Sequence, residues 1–111
     1  MSLDSTLDIT VERAGVTFAF GVTNPDTEPI DLTFRTGMVA DVAVYQDGVE
    51  VWRWSDGRMF TQAIETQTLA PGETLVFEAN WDDPTPGSYT AEASLAATNV
   101  TLVEREPFET P

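Results

Sequence analysis

The strongest constraint on this chain is an alternation of apolar and polar or small side chains with a period of two. In residues 16–22 the side chains of Val16, Phe18, Phe20 and Val22 occupy every second position. Successive side chains of a β-strand point to opposite faces, so this pattern is typical of a strand with one buried face. No stretch keeps the 3.6-residue period of a long helix. Eight such stretches are separated by turn residues: 6–11, 16–22, 30–34, 39–45, 49–54, 64–69, 74–81 and 89–95.

These stretches predict an all-β fold, an immunoglobulin-like antiparallel β-sandwich of about eight short strands. A chain of 111 residues is one domain by length. We expect a core over residues 6–103, with a last short strand at 100–103, and a loose tail over 104–111. The sequence contains no cysteine, so no disulfide can join the two sheets and side-chain packing must hold them together.

Two local patterns refine the predicted sandwich. Gly87, Ser88 and Tyr89 open a late strand in the way that the tyrosine corner of immunoglobulin-like domains does. Trp81 is the candidate for the central aromatic residue of the core. Asp41 interrupts an otherwise apolar strand, and we interpret it as a carboxylate that a neighbouring loop caps with hydrogen bonds; the alternative is a different strand register.

The clearest turn signal is Asp47-Gly48, which supplies the two positive-φ residues of a type I′ hairpin loop. A two-residue loop there pairs Val44 with Val51, and a second tight turn at 55–58 extends the meander. Directly paired residues share a face. One face then collects Tyr45, Trp52, Trp54 and Met59. The other face collects Val42, Val44, Val49, Val51 and Phe60. Since a sandwich needs one apolar face, either a loop or the termini cover the aromatic set, or this set binds a partner.

The charge balance excludes several classes of partner. The chain has 19 acidic residues and 5 basic residues, all arginine, for a net charge of -14. Nucleic acids require positive protein surface, and anionic membranes attract it, so we expect neither partner. The acidity either keeps the protein soluble or reflects adaptation to a salt-rich cytoplasm of the haloarchaeal kind, and the absence of lysine favours the second interpretation. Residues 1–5 lack the features of a signal peptide, which predicts a cytoplasmic protein.

Residue types also limit the chemistry that is open to this chain. Without cysteine or histidine, thiol catalysis, histidine-based triads and the usual zinc sites are excluded. Catalysis by two carboxylates requires a cleft in which different environments shift the two pKa values apart. Asp82 and Asp83 are adjacent, but they occupy a loop. We therefore predict a protein that is not an enzyme, with no cofactor, no metal and no small-molecule substrate.

The sequence resembles the BsuPI-type intracellular proteinase inhibitors over most of its length. The tryptophan-rich segment is the most specific part of the resemblance, which rests on Asn24-Pro25, residues 32–37 with Asp41, residues 45–62, residues 69–73, Trp81 and residues 87–89. The resemblance implies an immunoglobulin-like fold, an intracellular location and inhibition of a serine protease. It implies no known reactive site. The alternative is a β-sandwich interaction module, again without enzymatic activity, that binds a different protein.

The candidate partner-binding residues come from the tryptophan-rich segment, because Trp, Tyr, Met and Arg are enriched at interfaces. They are Arg58, Met59, Trp52, Trp54 and Tyr45. Two segments could form a stiff inhibitory loop without disulfides. Residues 55–60 project Arg58 and Met59, whereas residues 82–88 carry two prolines that favour extended backbone. We favour 55–60. A third route is pairing of an edge strand with the substrate cleft of a protease.

Overall fold

The computed structural model describes residues 3–111, so the first two residues of the segment used to predict localisation lie outside it. The described chain is all-β, as predicted, with nine strands rather than about eight. They are β1 (Asp4–Val11), β2 (Gly15–Thr23), β3 (Ile30–Phe34), β4 (Ala40–Gln46), β5 (Val49–Arg53), β6 (Glu65–Leu69), β7 (Thr74–Asp82), β8 (Gly87–Leu95) and β9 (Val103–Thr110). Between residues 3 and 111 no helix is present that could cross a membrane.

All strand pairs are antiparallel and form an immunoglobulin-like sandwich. One sheet has the order β1-β2-β7, and the other has the order β5-β4-β8-β9. The short sheet β3-β6 contributes Ile30, Leu32, Phe34 and Leu69 to the same core. A single bridge between Phe34 and Ala97 links β3 to the segment that follows β8.

The core lies where the alternating side chains of the two larger sheets meet. Phe18 and Phe20 of β2 are fully buried, and Val42 and Val44 of β4 are buried with them. Burying one such side chain contributes about 1.5–3 kcal/mol. Trp81 does not occupy the centre that we predicted for it. It is half-buried at the margin of this core, in contact with Trp52 and Tyr89.

The predicted tyrosine corner is present at the start of β8. The Tyr89 hydroxyl donates a hydrogen bond of 2.6 Å to the carbonyl oxygen of Thr85. The Tyr89 ring is buried and stacks on Phe108 of β9 at 5.6 Å between centroids. This contact fixes the entry into β8 without the disulfide that many related domains carry.

The prediction of a loose tail over residues 104–111 is wrong, because Val103–Thr110 forms strand β9 and pairs with β8 along its whole length. The predicted strand at 100–103 reduces to its last residue. The charged run 104–106 and Pro107 conceal the strand pattern, since only Phe108 and Thr110 are buried. Proline is tolerated here because β9 is an edge strand, where one side of the backbone needs no sheet partner.

The hairpin loop at Asp47-Gly48 forms as predicted, with φ angles of 52° and 79°. The strand register differs from the predicted one. A β-bulge between Val44 and Tyr45 places Trp52 opposite Val44, where Val51 was predicted. A shift of one residue moves side chains to the other face of a sheet. Trp52 therefore points into the core, whereas Val51 is exposed.

The predicted tight turn at 55–58 is present, since the N–H of Arg58 donates to the carbonyl of Ser55 at 3.1 Å, but the predicted pairing of Trp54 with Met59 in a second hairpin is absent. Residues 58–64 form no strand, and the next strand, β6, pairs with β3. The predicted common face of Tyr45, Trp52, Trp54 and Met59 is therefore wrong as well. The bulge and the missing hairpin lie outside what alternation can reveal, because both depend on tertiary contacts.

Candidate functional site

The most exposed large hydrophobic side chain among the described residues lies on the loop that joins β5 to β6, residues 54–64. Met59 is 97% exposed, and Ile64 further along the same loop is 75% exposed. Residues 54–57 form turns, and residues 58–64 have no regular structure. An apolar side chain held in water at such an exposure contributes nothing to the fold, which makes the tip of loop 54–64 a candidate contact surface.

The base of loop 54–64 is built around the buried carboxylate of Asp41, which is 6% exposed. Its Oδ1 accepts hydrogen bonds from the backbone N–H of Val42 at 2.9 Å and of Ser55 at 3.1 Å. Its Oδ2 accepts from the Ser55 hydroxyl at 2.6 Å and from Arg53 Nη1 at 3.0 Å. The interpretation of Asp41 as a capped carboxylate is confirmed. The cap ties a residue of β4 to the first residues of the loop.

Arg53 completes this base from the neighbouring strand. Its guanidinium donates to Glu50 Oε1 at 2.7 Å as well as to Asp41. The hydrogen bonds with Glu50 and then Asp41 raise the pKa of the Arg53 guanidinium above its ordinary value. Arg53 is therefore held as a cation between Glu50 and Asp41 at the base of the loop.

Arg58 folds back onto the start of the loop instead of extending into solvent. Its Nε donates to the carbonyl oxygen of Trp54 at 2.8 Å, and its guanidinium carbon lies 4.3 Å from the centroid of the Trp54 ring. This is the geometry of a cation–π contact. The backbone N–H of Arg58 also donates to the carbonyl of Ser55 at 3.1 Å. The chain is thus fixed immediately before Met59.

The chain is fixed again immediately after Met59. The Phe60 ring packs against Trp54 at 5.8 Å, and Trp54 packs edge-on against Phe77 of β7 at 4.8 Å. The carbonyl of Thr61 accepts a hydrogen bond of 2.9 Å from the N–H of Gly37. A Cβ atom at Gly37 would lie 2.7 Å from the Thr61 hydroxyl, so a larger residue at position 37 would require the Thr61 side chain to shift. Met59 is left free between two anchored neighbours.

The structure separates the five predicted partner-binding residues. Arg58 and Met59 are exposed on loop 54–64, and Trp54 lies beneath them, half-buried. Trp52 stacks between Phe18 and Trp81 at the edge of the core. Tyr45 lies apart, on the outer face of β4, where it pairs with Thr90 of β8. No single surface holds all five residues.

The competing segment, loop 83–86 between β7 and β8, has its polar backbone committed to the fold. The carbonyl of Thr85 accepts hydrogen bonds from the Tyr89 hydroxyl at 2.6 Å and from the Thr110 hydroxyl at 2.8 Å. Asp83 adopts a positive φ of 51°. This loop is stiff, but its central carbonyl points back to β8 and β9.

Sequence reasoning missed two parts of this site, the Ser55 side chain and the contact of Gly37 with Thr61. The position of Asp41 on an apolar strand was a signal for the first, because a buried carboxylate requires donors nearby. Nothing in the sequence pairs Gly37 with Thr61. Within residues 3–111 no group of three or more His, Cys, Asp or Glu side chains could hold a metal ion.

Comparison with solved structures finds similar chains at low sequence identity. The CARDB domain of the PF1109 protein from Pyrococcus furiosus, in complex with di-metal ions, is 19% identical with a TM-score of 0.48, covering 97% of this chain and 93% of that chain. A β-glucuronidase of Bacteroides uniformis is 18% identical with a TM-score of 0.48, covering 97% and 12%. A β-glucosidase, EmGH1, of Erythrobacter marinus is 12% identical with a TM-score of 0.45, covering 96% and 16%.

A search of curated proteins finds no significant match. Comparison with models of protein families identifies one family. The sequence model of the BsuPI family, described as intracellular proteinase inhibitor, matches residues 3–100, which span β1 to β8 and include all of loop 54–64. The match covers most of the chain, and it includes the tryptophan-rich segment of residues 45–62. The chain belongs to the BsuPI family of intracellular proteinase inhibitors.

Proposed function

We propose that this protein inhibits a cytoplasmic serine protease by protein–protein binding, and that loop 54–64 enters the substrate cleft of that protease. The observation that carries the proposal is Met59, which is 97% exposed between two anchored neighbours. A substrate-like inhibitor must present an exposed and extended segment that is already ordered, because ordering it on binding would weaken the complex. Loop 54–64 is exposed at Met59 and is anchored on both sides of it without a disulfide.

Met59 is the better candidate for the specificity pocket of the protease than Arg58. The guanidinium of Arg58 is held by the ring and the carbonyl of Trp54, and releasing it would break both contacts. The flexible, apolar thioether of Met59 makes no comparable contact and suits an apolar pocket. In this arrangement Trp54 supports the loop from below, Trp52 supports the core, and Tyr45 lies away from the contact.

The test is inhibition of the intracellular serine protease from the same organism, measured with a fluorogenic peptide substrate. We expect tight inhibition by the wild-type protein. Met59→Ala should weaken the inhibition constant by about 10- to 100-fold, since the truncation of a central anchor costs about 1–3 kcal/mol. The matched control is Val76→Ala, which removes another exposed apolar side chain, on β7. A wild-type protein that leaves the protease fully active would reject the proposal.

A second candidate function is binding of a different, non-protease protein along the edge strand β5. One side of β5 has no sheet partner, and Val49 and Val51 are exposed on this strand. An extended segment of a partner could add to such an edge. Co-purification of the tagged protein from its own cells distinguishes the two functions, because a serine protease should dominate the captured proteins if inhibition is the role.

Salt adaptation is a further part of the proposal. Only three of the 19 carboxylates, those of Asp41, Glu50 and Glu92, form ion pairs with arginine within residues 3–111. The remaining acidic residues repel one another, and salt screens this repulsion because the Debye length falls to ~3 Å at ~1 M. We expect the melting temperature, followed by circular dichroism, to rise between about 0.1 M and about 2 M KCl. A melting temperature that is flat or falls over this range would reject salt adaptation.

A further inference from the structure

We infer that Asp41 is a positioning residue for the inhibitory loop, and that its hydrogen bonds decide whether a protease meets loop 54–64 as an inhibitor or as a substrate. The inference rests on the proposed function. Asp41 itself does not reach the tip of the loop, since its carboxylate is buried and accepts its hydrogen bonds from Val42, Arg53 and Ser55. Its effect on a protease would therefore be exerted through the loop.

The first step of the argument is where the loop leaves the sheet. The N–H of Trp54 donates to the carbonyl of Val42 at 2.9 Å, which is the last backbone hydrogen bond between this strand and β4. Ser55 follows at once, and both its N–H and its hydroxyl donate to Asp41. The direction in which residues 55–58 depart from the sheet is therefore set by the two oxygens of a single carboxylate.

The second step links this base to Met59. The carbonyl of Ser55 accepts from the N–H of Arg58 at 3.1 Å, and the carbonyl of Trp54 accepts from Arg58 Nε at 2.8 Å. Both acceptors lie on residues whose placement depends on the bonds to β4 and Asp41. The residue before Met59 is thus connected to a buried strand through two short hydrogen-bonded links.

The third step is the consequence for a bound protease. A loop that remains in one extended conformation binds tightly and is cut slowly, whereas a loop that is free to adapt binds weakly and is cut as an ordinary peptide. Loss of the Asp41 contacts would free residues 55–58 while Phe60 and Thr61 stayed anchored. The protein would then change from an inhibitor into a substrate without losing its fold.

The experiment compares three variants of the full-length protein. Asp41→Asn keeps the size of the side chain but replaces one acceptor oxygen by a donor that faces Arg53 and Ser55. Ser55→Ala removes only the bond between the Ser55 hydroxyl and Asp41. The control, Thr110→Ala, removes a buried hydroxyl that donates to Thr85 in the other loop. Chymotrypsin, whose pocket accepts large apolar side chains, serves as the probe protease.

Three quantities are measured for each variant: the rate of cleavage at residues 58–60 by mass spectrometry, the melting temperature, and the inhibition constant for the intracellular serine protease. We expect Asp41→Asn and Ser55→Ala to be cleaved about tenfold or more faster than wild type, since one lost buried hydrogen bond is worth about a tenfold change. Inhibition should weaken by a similar factor. Thr110→Ala should lower the melting temperature without accelerating this cleavage.

Cleavage that accelerates only in proportion to the loss of global stability, as in the control, would overturn the inference. If Asp41→Asn does not fold, Ser55→Ala decides the question, because it retains the carboxylate and the backbone N–H. An inactive wild-type protein would reject the proposed function by itself, whereas the cleavage rates would still show whether Asp41 holds the loop rigid. The two failures are therefore distinguishable.

Discussion

Loop 54–64 and loop 83–86 both leave the sandwich without a disulfide, and each is stiffened by hydrogen bonds to buried strands. The two loops differ in which of their backbone atoms form these hydrogen bonds. In loop 83–86 the central carbonyl, that of Thr85, accepts from Tyr89 and Thr110. In loop 54–64 the hydrogen bonds end at Arg58 and resume at Phe60, whose carbonyl accepts from Gln62, so that Met59 is left exposed. Rigidity alone therefore does not make an inhibitory loop; the anchors must leave the tip free.

The largest expected effect is a direct contrast between the two loops. The double variant Arg58→Ala with Met59→Ala should weaken inhibition by about 100-fold or more, because it removes the tip side chain and the residue that holds it. The double variant Pro84→Ala with Pro86→Ala should change the inhibition constant by less than about threefold, since substitutions outside a contact are close to neutral. Enzyme inhibition assays measure both, after circular dichroism has verified folding.

The opposite ranking would show that the comparison favours the wrong loop. If both double variants inhibit fully, neither loop is the contact, and strand pairing along β5 becomes the better explanation. Val49→Arg on β5 then tests that route, because a charged side chain on an edge strand opposes the addition of a further strand.

The second effect concerns stability and should appear in loop 83–86 alone. Tyr89→Phe removes the hydroxyl that donates to Thr85 and leaves that carbonyl with one donor fewer. We expect the free energy of unfolding, measured with urea, to fall by about 1–2 kcal/mol, with inhibition unchanged. The control is Tyr45→Phe on the outer face of β4, which should change stability by less than about 0.5 kcal/mol. A Tyr89→Phe variant that weakens inhibition would show that the two loops are coupled.

The sequence predicts most of the sandwich but only part of the loop. Period-two alternation identifies strands in which one face is buried, as in β2 and β8, and Gly87-Ser88-Tyr89 correctly indicates the tyrosine corner. Alternation fails for β9, where charges and Pro107 occupy the pattern and only Phe108 and Thr110 turn inward. It also fails at the bulge beside Val44, because a one-residue insertion in the ladder leaves no mark in the order of side chains.

The candidate site, too, could be predicted only in part, because some of its contacts depend on tertiary structure. Asp41 was informative because a carboxylate on an apolar strand must find donors, and Ser55 and Arg53 supply them. The sequence predicts that Met59 projects from residues 55–60, and its exposure of 97% agrees, whereas the predicted pairing of Met59 with Trp54 is absent. Whether a residue beyond a turn continues a sheet depends on competing partners, and here β6 pairs with β3 instead.

The smallest expected effect compares two glycines with the same backbone conformation. Gly57 in loop 54–64 has a φ of 76°, and Gly72 in the turn before β7 has a φ of 77°. Neither has any atom within 4 Å of the position that a Cβ would take, so an alanine at either site introduces backbone strain without a steric clash. Each alanine should cost about 1 kcal/mol of stability, because non-glycine residues disfavour positive φ.

Inhibition should separate the two glycine variants. Strain at Gly57 acts within the turn that carries Arg58 and Met59, whereas strain at Gly72 acts on a turn that contacts Asn24. We expect Gly57→Ala to weaken inhibition by about three- to tenfold, which corresponds to a loss of about 1 kcal/mol of binding free energy. Gly72→Ala should leave inhibition unchanged. Titration of the protease with each variant at equal folded concentration makes the measurement. Equal inhibition by both variants would mean that the tip of loop 54–64 tolerates backbone distortion, and that its anchors at Arg58 and Thr61 suffice to present Met59.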